Sequence, residues 1–332
     1  MSYLYVCEQG SSIGFEGQRV QVKCKNGLLR SVPVETLETI QVFGNVQLTT
    51  QCMTECLRRG INVIFYSAHG SYFGRLISTN HVNVARQRLQ AALSDGFKME
   101  MAKNIVRAKI KNQIVILRRY VRNRTADCET EITQMTWLSR KIERCGSISE
   151  IMGYEGAAAR NYFAALGKLI DPEFRFERRS RRPPLDPFNS MISLGYSIIL
   201  NEIYGKLEGK GLNPYFGVLH QDREKHPTLA SDLMEEWRAV LIDSLSMSLL
   251  NGHEISPDDF YKEEGREGIF LSSKGFKTYV GKLEDKFHAS SKYLDYVDYS
   301  VSFRRAMDLQ VNQFCSAIEK DDPALYHPVQ IR

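Results

Sequence analysis

Four acidic residues lie close together in a segment that the sequence predicts as one helix, Thr228–Asn251. At about 100° per residue, they fall on one side of this helix, next to a broad apolar side. They are Asp232, Glu235, Glu236 and Asp243. Like charges three or four residues apart repel one another on an isolated helix. Two explanations stay open: a solvated acidic face that complements the helix dipole, or a site for a hard divalent cation, which prefers carboxylate oxygens.

A histidine and a further acid could join such a site. His220 lies fifteen residues before Glu235, and the loop between them could fold back onto the first turn of the helix. Glu155 stands among small residues in the stretch Gly153–Phe163, followed by Arg160. Glycine and alanine around a single acid permit close packing of another helix or backbone. The alternatives are a structural histidine and an exposed Glu–Arg pair.

Basic residues form two groups that could bind DNA. The first is a stripe on a predicted helix, at spacings of four, four, seven and four: Lys103, Arg107, Lys111, Arg118 and Arg122. The second lies on a proline-containing loop: Arg178, Arg179, Arg181 and Arg182. Arg160 completes the predicted DNA-binding set. Each group is explained by phosphate binding or by a structural role. The structural role would be a solvated face for the stripe and an ion-pair hub for the loop.

Charge is distributed unevenly along the chain. The net charge is +5 in total, with +7 over residues 78–150 and −6 over residues 193–332. The positive middle of the chain could bind a polyanion, and the acidic last part could bind cations.

The elements that must position these residues change character near residue 78. Before it, short β-branched or aromatic runs predict strands, with one helix at Thr49–Arg59 that Gly60 should end. After it, apolar residues recur every three to four positions. The predicted helices there are Val84–Leu93, Met99–Val121, Glu129–Arg144, Ile148–Leu169, Pro187–Tyr204, Thr228–Asn251 and Ser300–Ile318. The predicted fold class is α+β multidomain: a small N-terminal mainly-β domain (1–78), then a larger all-α C-terminal domain (79–332) with the catalytic and DNA-binding residues.

Composition argues against several classes of protein. With 43% hydrophobic and 25% charged residues, the chain is typical of a core-forming protein and not of a disordered one. The seven cysteines include no CxxC pair and are interpreted as reduced thiols. Neither a signal peptide nor an apolar run of the ~18 residues that a membrane span needs is found, so we expect a cytoplasmic protein without a membrane partner. The lack of an HExxH motif argues against a metallopeptidase.

Four segments, taken together and in order, resemble the CRISPR-associated protein 1 family. They are Glu155–Phe163 (EGAAARNYF), Asp186–Met191 (DPFNSM), Gly211–His220 (GLNPYFGVLH) and Leu229–Arg238 (LASDLMEEWR). One such segment would not suffice, whereas four in the correct order are specific. The resemblance covers nearly the whole chain and is weakest after residue 252.

The resemblance implies a catalytic metal site in which Glu155, His220 and Glu235 hold Mg²⁺ or Mn²⁺. Many members of the family carry aspartate at the position of Glu235. Asp232 is the other recurrent acid of this motif, so it is a supporting residue or an alternative third ligand. The implied activity is that of a metal-dependent DNA endonuclease and integrase, which inserts short fragments (spacers) into CRISPR arrays. The 3′-hydroxyl of a fragment attacks a phosphodiester of the repeat.

The resemblance also implies partners. They are double-stranded DNA fragments with 3′-hydroxyl ends, CRISPR repeat DNA, a second copy of the chain bound through the β domain, and the CRISPR-associated protein 2 adaptor. Two other functions remain open for the same residues. One is a structure-selective DNA repair nuclease without integration, and the other is a non-catalytic DNA-binding scaffold whose acidic face is merely solvated.

Overall fold

The structure is a computed structural model that describes residues 2–122, 126–294 and 296–331. It divides into two compact units, Met1–Val82 and Asn83–Arg332. The first unit is mainly β and the second is mainly helical, which confirms the predicted fold class. Among the described residues, no helix is both long and apolar enough to cross a membrane.

The first unit contains two four-stranded sheets. Its strands are β1 (Ser2–Val6), β2 (Ser12–Glu16), β3 (Arg19–Cys24), β4 (Gly27–Pro33), β5 (Leu37–Phe43), β6 (Gln47–Leu48), β7 (Asn62–Tyr66) and β8 (Tyr72–Leu76). One sheet has the order β1-β5-β7-β8, with β8 antiparallel to its neighbour and the other pairs parallel. The other has the order β4-β3-β2-β6. Apolar side chains from both sheets form one core, centred on residues such as Ile13, Ile40 and Val63.

The helix of the first unit, α1 (Thr50–Arg59), begins one residue after its predicted start and ends at the predicted residue. The Thr49 side chain accepts a hydrogen bond from the Cys52 backbone N–H at 3.3 Å and so caps the first turn. Gly60 ends the helix with a φ of 70°, in the left-handed region that favours glycine. Cys52 and Cys56, one turn apart, lie in the apolar core. Both are free thiols.

The second unit is built from helices. They are α2 (Val84–Ala91), α3 (Asp95–Val121), α4 (Glu129–Lys141), α5 (Ile148–Leu169), α6 (Pro187–Gly209), α7 (Thr228–Met234), α8 (Ser244–Asn251), α9 (Ser273–His288) and α10 (Phe303–Lys320). Helices α3, α4 and α5 pack against one another, and α6 packs against α7 and α8. Two short antiparallel strand pairs, Phe260–Tyr261 with Phe270–Leu271 and Ser290–Ser291 with Val301–Ser302, accompany the later helices.

The predicted helix Thr228–Asn251 is interrupted, which corrects the expectation from the sequence. After α7, the backbone N–H groups of Glu235 and Trp237 donate to the carbonyls three residues earlier, at 3.1 and 2.9 Å, in a tight turn. Residues Arg238–Asp243 then form a π-helical segment before α8 begins. The change of pitch turns the acids of this region toward different partners. All four acids are buried, which excludes a solvated acidic face.

Candidate functional site

Asp232 of α7 fixes the position of His220. Its carboxylate accepts the backbone N–H groups of Val218, Leu219 and His220 at 2.7, 2.9 and 3.2 Å. The Nδ1 atom of His220 lies 2.6 Å from Asp232 Oδ1, and this hydrogen bond raises the pKa of His220 in spite of burial. Both Asp232 oxygens are therefore engaged. Nε2 is the remaining ring nitrogen, as in metal sites where a carboxylate orients the histidine ligand.

A glycine lets the loop that carries His220 pack closely on α7. A Cβ atom at Gly217 would lie 2.4 Å from Thr228 Cγ2 and 3.0 Å from Asp232 Oδ2. The backbone N–H of Gly217 donates to Asp222 Oδ1 at 3.1 Å. The loop from Gly217 to His220 therefore wraps around the Asp232 carboxylate, and it folds back onto the helix as the sequence allows.

Glu155 of α5 and Glu235, which follows α7, meet at the side chain of Lys109 in α3. The Lys109 ammonium contacts Glu155 Oε1 directly and lies 2.6 Å from Glu235 Oε2. Arg238 Nε is 3.1 Å from the same Glu235 oxygen. This oxygen is buried and accepts no hydrogen bond of good geometry from the residues that the structure describes. The two acids, eighty residues apart in sequence, thus converge on one cationic centre.

The charges around Glu235 keep it ionised. Burial by itself would raise the pKa of Glu235, but the positive charges of Arg238, Lys109 and His220 outweigh burial and lower the pKa to about 2. Burial would lower the pKa of Lys109, but Glu235 and Glu155 outweigh burial and raise it. A buried carboxylate and a buried ammonium are therefore both charged at neutral pH.

The donor chemistry of these residues fits Mg²⁺ or Mn²⁺. Carboxylates and an oriented imidazole suit such ions, and the buried Glu235 Oε2 already has two cationic groups beside it, Lys109 Nζ and Arg238 Nε. In the described ranges, no three side chains of His, Cys, Asp or Glu are grouped as a metal ion needs, and the Lys109 ammonium lies between the two acids. Metal binding by Glu155, His220 and Glu235 stays a prediction. Because the oxygens of Asp232 are already engaged, the geometry favours Glu235 as the third ligand.

A buried network connects Glu235 to the core through Arg238. The Arg238 guanidinium lies 4.5 Å from the centre of the Tyr196 ring. The hydroxyls of Tyr196 and Tyr162 donate to the two oxygens of Asp243 at 2.5 and 3.0 Å. Burial raises the pKa of Asp243 to about 6, although both hydrogen bonds act in the opposite direction. The π-helical segment carries both Arg238 and Asp243, so its geometry fixes how the network meets the candidate site.

Glu236 has a different environment from Glu235. Its two carboxyl oxygens lie 2.6 Å from the Tyr326 hydroxyl and 2.6 Å from the Val329 backbone nitrogen. Burial raises its pKa to about 8. The Asn112 side chain donates to the backbone carbonyls of Glu236 and Val329 at 3.0 and 2.9 Å. At neutral pH, Glu236 is therefore mainly uncharged. Together with Asn112 of α3, it binds the segment around Val329 by hydrogen bonds.

Most of the predicted DNA-binding residues are exposed or only lightly engaged. The exposed ones are Lys111, Arg118, Arg122, Arg160, Arg178, Arg181 and Arg182. Lys103 lies 3.0 Å from Glu100, and Arg107 forms an ion pair with Glu143. Ion pairs at a surface contribute little to stability, so such side chains can exchange a carboxylate for a phosphate at small cost.

Arg179 differs from its neighbours on the basic loop because it is directed inward. Its guanidinium donates to the Ser180 carbonyl, to Asn189 Oδ1 at 2.8 Å and to Ser193 Oγ at 3.0 Å. It also lies 5.5 Å from the centre of the Tyr196 ring, on which Arg238 packs as well. Arg179 thus has a structural role in anchoring the loop, and its role in DNA binding stays a prediction.

Comparison with known proteins identifies the family. Residues 4–285 match the sequence profile of the family described as CRISPR associated protein Cas1. The chain belongs to the Cas1 family. It is similar to the CRISPR-associated endonuclease Cas1 of Mycobacterium tuberculosis (strain CDC 1551 / Oshkosh). The two are 36% identical over 327 residues, which cover 98% of this chain and 96% of the relative.

Solved structures share the Cas1 fold seen here. A Cas6-RT-Cas1–Cas2 complex superposes with a TM-score of 0.86 at 25% identity, covering 100% of this chain and 36% of the longer one. A casposase bound to an integration product superposes with a TM-score of 0.86 at 20% identity, covering 97% of this chain and 92% of the casposase. The second likeness concerns the fold alone.

Three residues that shape the site in this Cas1-family chain were missed by the sequence analysis: Lys109, Arg238 and Tyr196. A signal existed for Lys109, which lies four residues after Ile105 on the apolar side of α3 and outside the basic stripe. A lysine at such a position requires a buried partner. Arg238 and Tyr196 gave no comparable signal, because their contact depends on the π-helical segment.

Proposed function

We propose that this chain is a metal-dependent DNA integrase, which joins the 3′-hydroxyl of a short duplex to a phosphodiester of CRISPR repeat DNA. The observation that supports it most is the convergence of Glu155 and Glu235 on one buried cationic centre. Asp232 holds His220 through the Nδ1 atom of the ring, which leaves Nε2 as the remaining ring nitrogen. Membership of a family that includes named endonucleases indicates phosphodiester chemistry.

Each residue of the site has a defined task in this proposal. Glu155, Glu235 and Nε2 of His220 would hold Mg²⁺ or Mn²⁺. When bound, the ion polarises a phosphodiester and stabilises the charge that develops during attack. Asp232 keeps the His220 ring oriented. Arg238 helps to keep Glu235 ionised, and therefore able to bind a cation.

The exposed basic residues would bind the DNA backbone. Contacts with phosphates fix the position of the duplex and carry little sequence information. They also make binding sensitive to salt, since each neutralised phosphate releases counterions. Arg160 is exposed on the same helix as Glu155, so it is the predicted DNA-binding residue that shares an element with a predicted metal ligand.

The proposed partners are a second copy of the chain, bound through the first unit, and the Cas2 adaptor. A protein that shares the fold occurs in a Cas6-RT-Cas1–Cas2 complex, which supports the adaptor as a partner. That assembly belongs to the similar protein, and the same class of partner is proposed here. A chain that stayed monomeric and did not bind the adaptor would contradict this part of the proposal.

A strand-transfer assay tests the function. The chain and its adaptor are incubated with a short labelled duplex bearing free 3′-hydroxyls, a supercoiled plasmid with a CRISPR repeat, and Mn²⁺. Wild type is compared with His220→Ala and with His253→Ala. His253 is a matched control because it is a half-exposed histidine whose Nε2 lies 3.6 Å from Asp171.

Label joined to the plasmid by wild type and by His253→Ala, but not by His220→Ala, is the expected result. Plasmid nicking without joining would favour the repair nuclease. Equal joining by His220→Ala and wild type would refute the metal site. If Glu155→Ala also left every DNA transaction unchanged, the chain would be a non-catalytic scaffold.

A further inference from the structure

Lys109 is a buried lysine in the middle of α3 for which the proposed reaction has no task. Its side chain is 9% exposed, and its ammonium contacts Glu155 and lies 2.6 Å from Glu235. Lysine is almost never buried unless it is paired. Here one ammonium contacts two carboxylates from different elements. Without the ammonium, these two negative charges would repel each other in a poorly hydrated site.

Positive charge around these two carboxylates is already high. Arg238 Nε lies 3.1 Å from the Glu235 oxygen that Lys109 approaches. A divalent cation bound by Glu155 and Glu235 would need the same oxygens as the ammonium. Like charges repel more strongly in a buried site than in water, so the ion and Lys109 compete for these contacts.

We propose that Lys109 is a built-in counter-ion, which holds Glu155 and Glu235 together before a divalent cation binds and is displaced from them when it does. The inference rests on the proposed function, because it takes these two carboxylates as metal ligands. Lys109 is then a positioning residue with two opposite effects. It stabilises the fold without the ion, and it weakens the affinity for the ion.

The test uses the full chain with Lys109→Met, and with Lys206→Met as a matched control. Lys206 of α6 is equally buried, at 8% exposure, and it also lies near two acids, 2.7 Å from Asp308 and 4.0 Å from Glu202. Neither acid is a predicted metal ligand. Two quantities are measured: the dissociation constant of Mn²⁺ by titration calorimetry, and the melting temperature in EDTA and in Mn²⁺.

Lys109→Met should bind Mn²⁺ about tenfold or more tightly than wild type. It should melt below wild type in EDTA, because the Glu155 and Glu235 carboxylates then repel each other, and Mn²⁺ should restore most of that loss. The melting temperature of Lys206→Met should fall below that of wild type by the same amount in EDTA and in Mn²⁺. Its affinity for Mn²⁺ should equal that of wild type. That contrast separates competition for an ion from the loss of an ordinary buried ion pair.

Suppose that wild type binds Mn²⁺ and His220→Ala does not. Unchanged or weaker Mn²⁺ binding by Lys109→Met would then overturn this inference but not the proposed function. Absence of Mn²⁺ binding by wild type would overturn the proposed function and the inference with it. If Lys109→Met folds in neither buffer, the counter-ion role is tested with the double variant Lys109→Met/Glu155→Gln. Removing one of the two negative charges should restore folding, and a double variant that stays unfolded would contradict the counter-ion role.

Discussion

His220 Nδ1 and Asp232 Oδ1 lie 2.6 Å apart, and the same carboxylate accepts three successive backbone N–H groups of the loop that carries the histidine. One buried acid therefore fixes both the loop and the ring. Because the aspartate is used in this way, it can be essential for the site without contacting a metal ion. This relationship favours the prediction in which Asp232 supports His220 and Glu235 is the third ligand.

Replacing Asp232 by asparagine should weaken Mn²⁺ binding and slow strand transfer, each by about 10–100-fold. Asparagine keeps the shape of the side chain but loses the charge that orients His220 and raises its pKa. The affinity is measured by calorimetry, and the pKa of His220 by NMR, where it should fall. Asp222→Asn, at an exposed acid on the same loop, is the control. Wild-type affinity in Asp232→Asn would show that the acid is dispensable.

Gly217→Ala should displace the loop that carries His220, because its Cβ would lie 2.4 Å from Thr228 Cγ2. We expect the free energy of unfolding to fall by about 1–3 kcal/mol and strand transfer to fall with it. Denaturant unfolding measures the first effect. Gly209→Ala is the matched control, since a Cβ there meets no atom within 4 Å. Equal stability of the two variants would contradict the close packing.

Glu236 should make stability decrease toward alkaline pH. Its pKa is about 8 in the folded chain, against an ordinary value of 4.5. Between these values the folded state keeps a proton that the unfolded state has released, so the free energy of unfolding falls as pH rises from 4.5 through 8. Glu236→Gln keeps a neutral group in the same place and removes this dependence.

Melting curves measure the effect. Near pH 5, Glu236→Gln and wild type should melt at similar temperatures, whereas near pH 9 the variant should melt higher by about 4 °C or more. Glu264→Gln, at an exposed position, should follow wild type throughout. A constant difference between Glu236→Gln and wild type over this range would show that Glu236 does not titrate as described.

Replacing Arg178 or Arg179 by alanine should affect two different properties, DNA binding and stability. Arg179→Ala removes hydrogen bonds to Asn189 and Ser193, so the free energy of unfolding should fall by about 1–3 kcal/mol. Arg178 is exposed. Its loss should leave stability unchanged, weaken DNA binding and reduce the slope of log affinity against log salt by about one. Loss of stability only in Arg178→Ala would reverse this assignment.

Much of the fold follows from local pattern. Gly60 ends α1 where the sequence predicts, because a terminal glycine acts within a few residues. Helix α5, Ile148–Leu169, has the bounds that its periodicity predicts. Helix α9 is absent from the predicted helices, although its buried Phe276, Tyr279 and Leu283 recur at helical spacing.

The candidate site was less predictable, because its partners are distant in sequence. Glu235 meets Lys109, 126 residues earlier, and Glu236 meets Tyr326, 90 residues later. Periodicity places the four acids from Asp232 to Asp243 on one side of a straight helix. No local pattern shows that each of them contacts a different partner. Glu155, His220 and Glu235 are predicted as ligands through motif resemblance. The burial of Glu235, and the lysine between it and Glu155, needed the three-dimensional structure.

The π-helical segment Arg238–Asp243 has a consequence for comparing relatives. At its end the Ser244 N–H bonds to the Ala239 carbonyl, which is one residue further than an α-helical hydrogen bond reaches. A sequence alignment that places helical faces by periodicity will therefore slip by one position across this stretch. In relatives, the acids before the segment and Asp243 at its end should accordingly be aligned as two separate blocks.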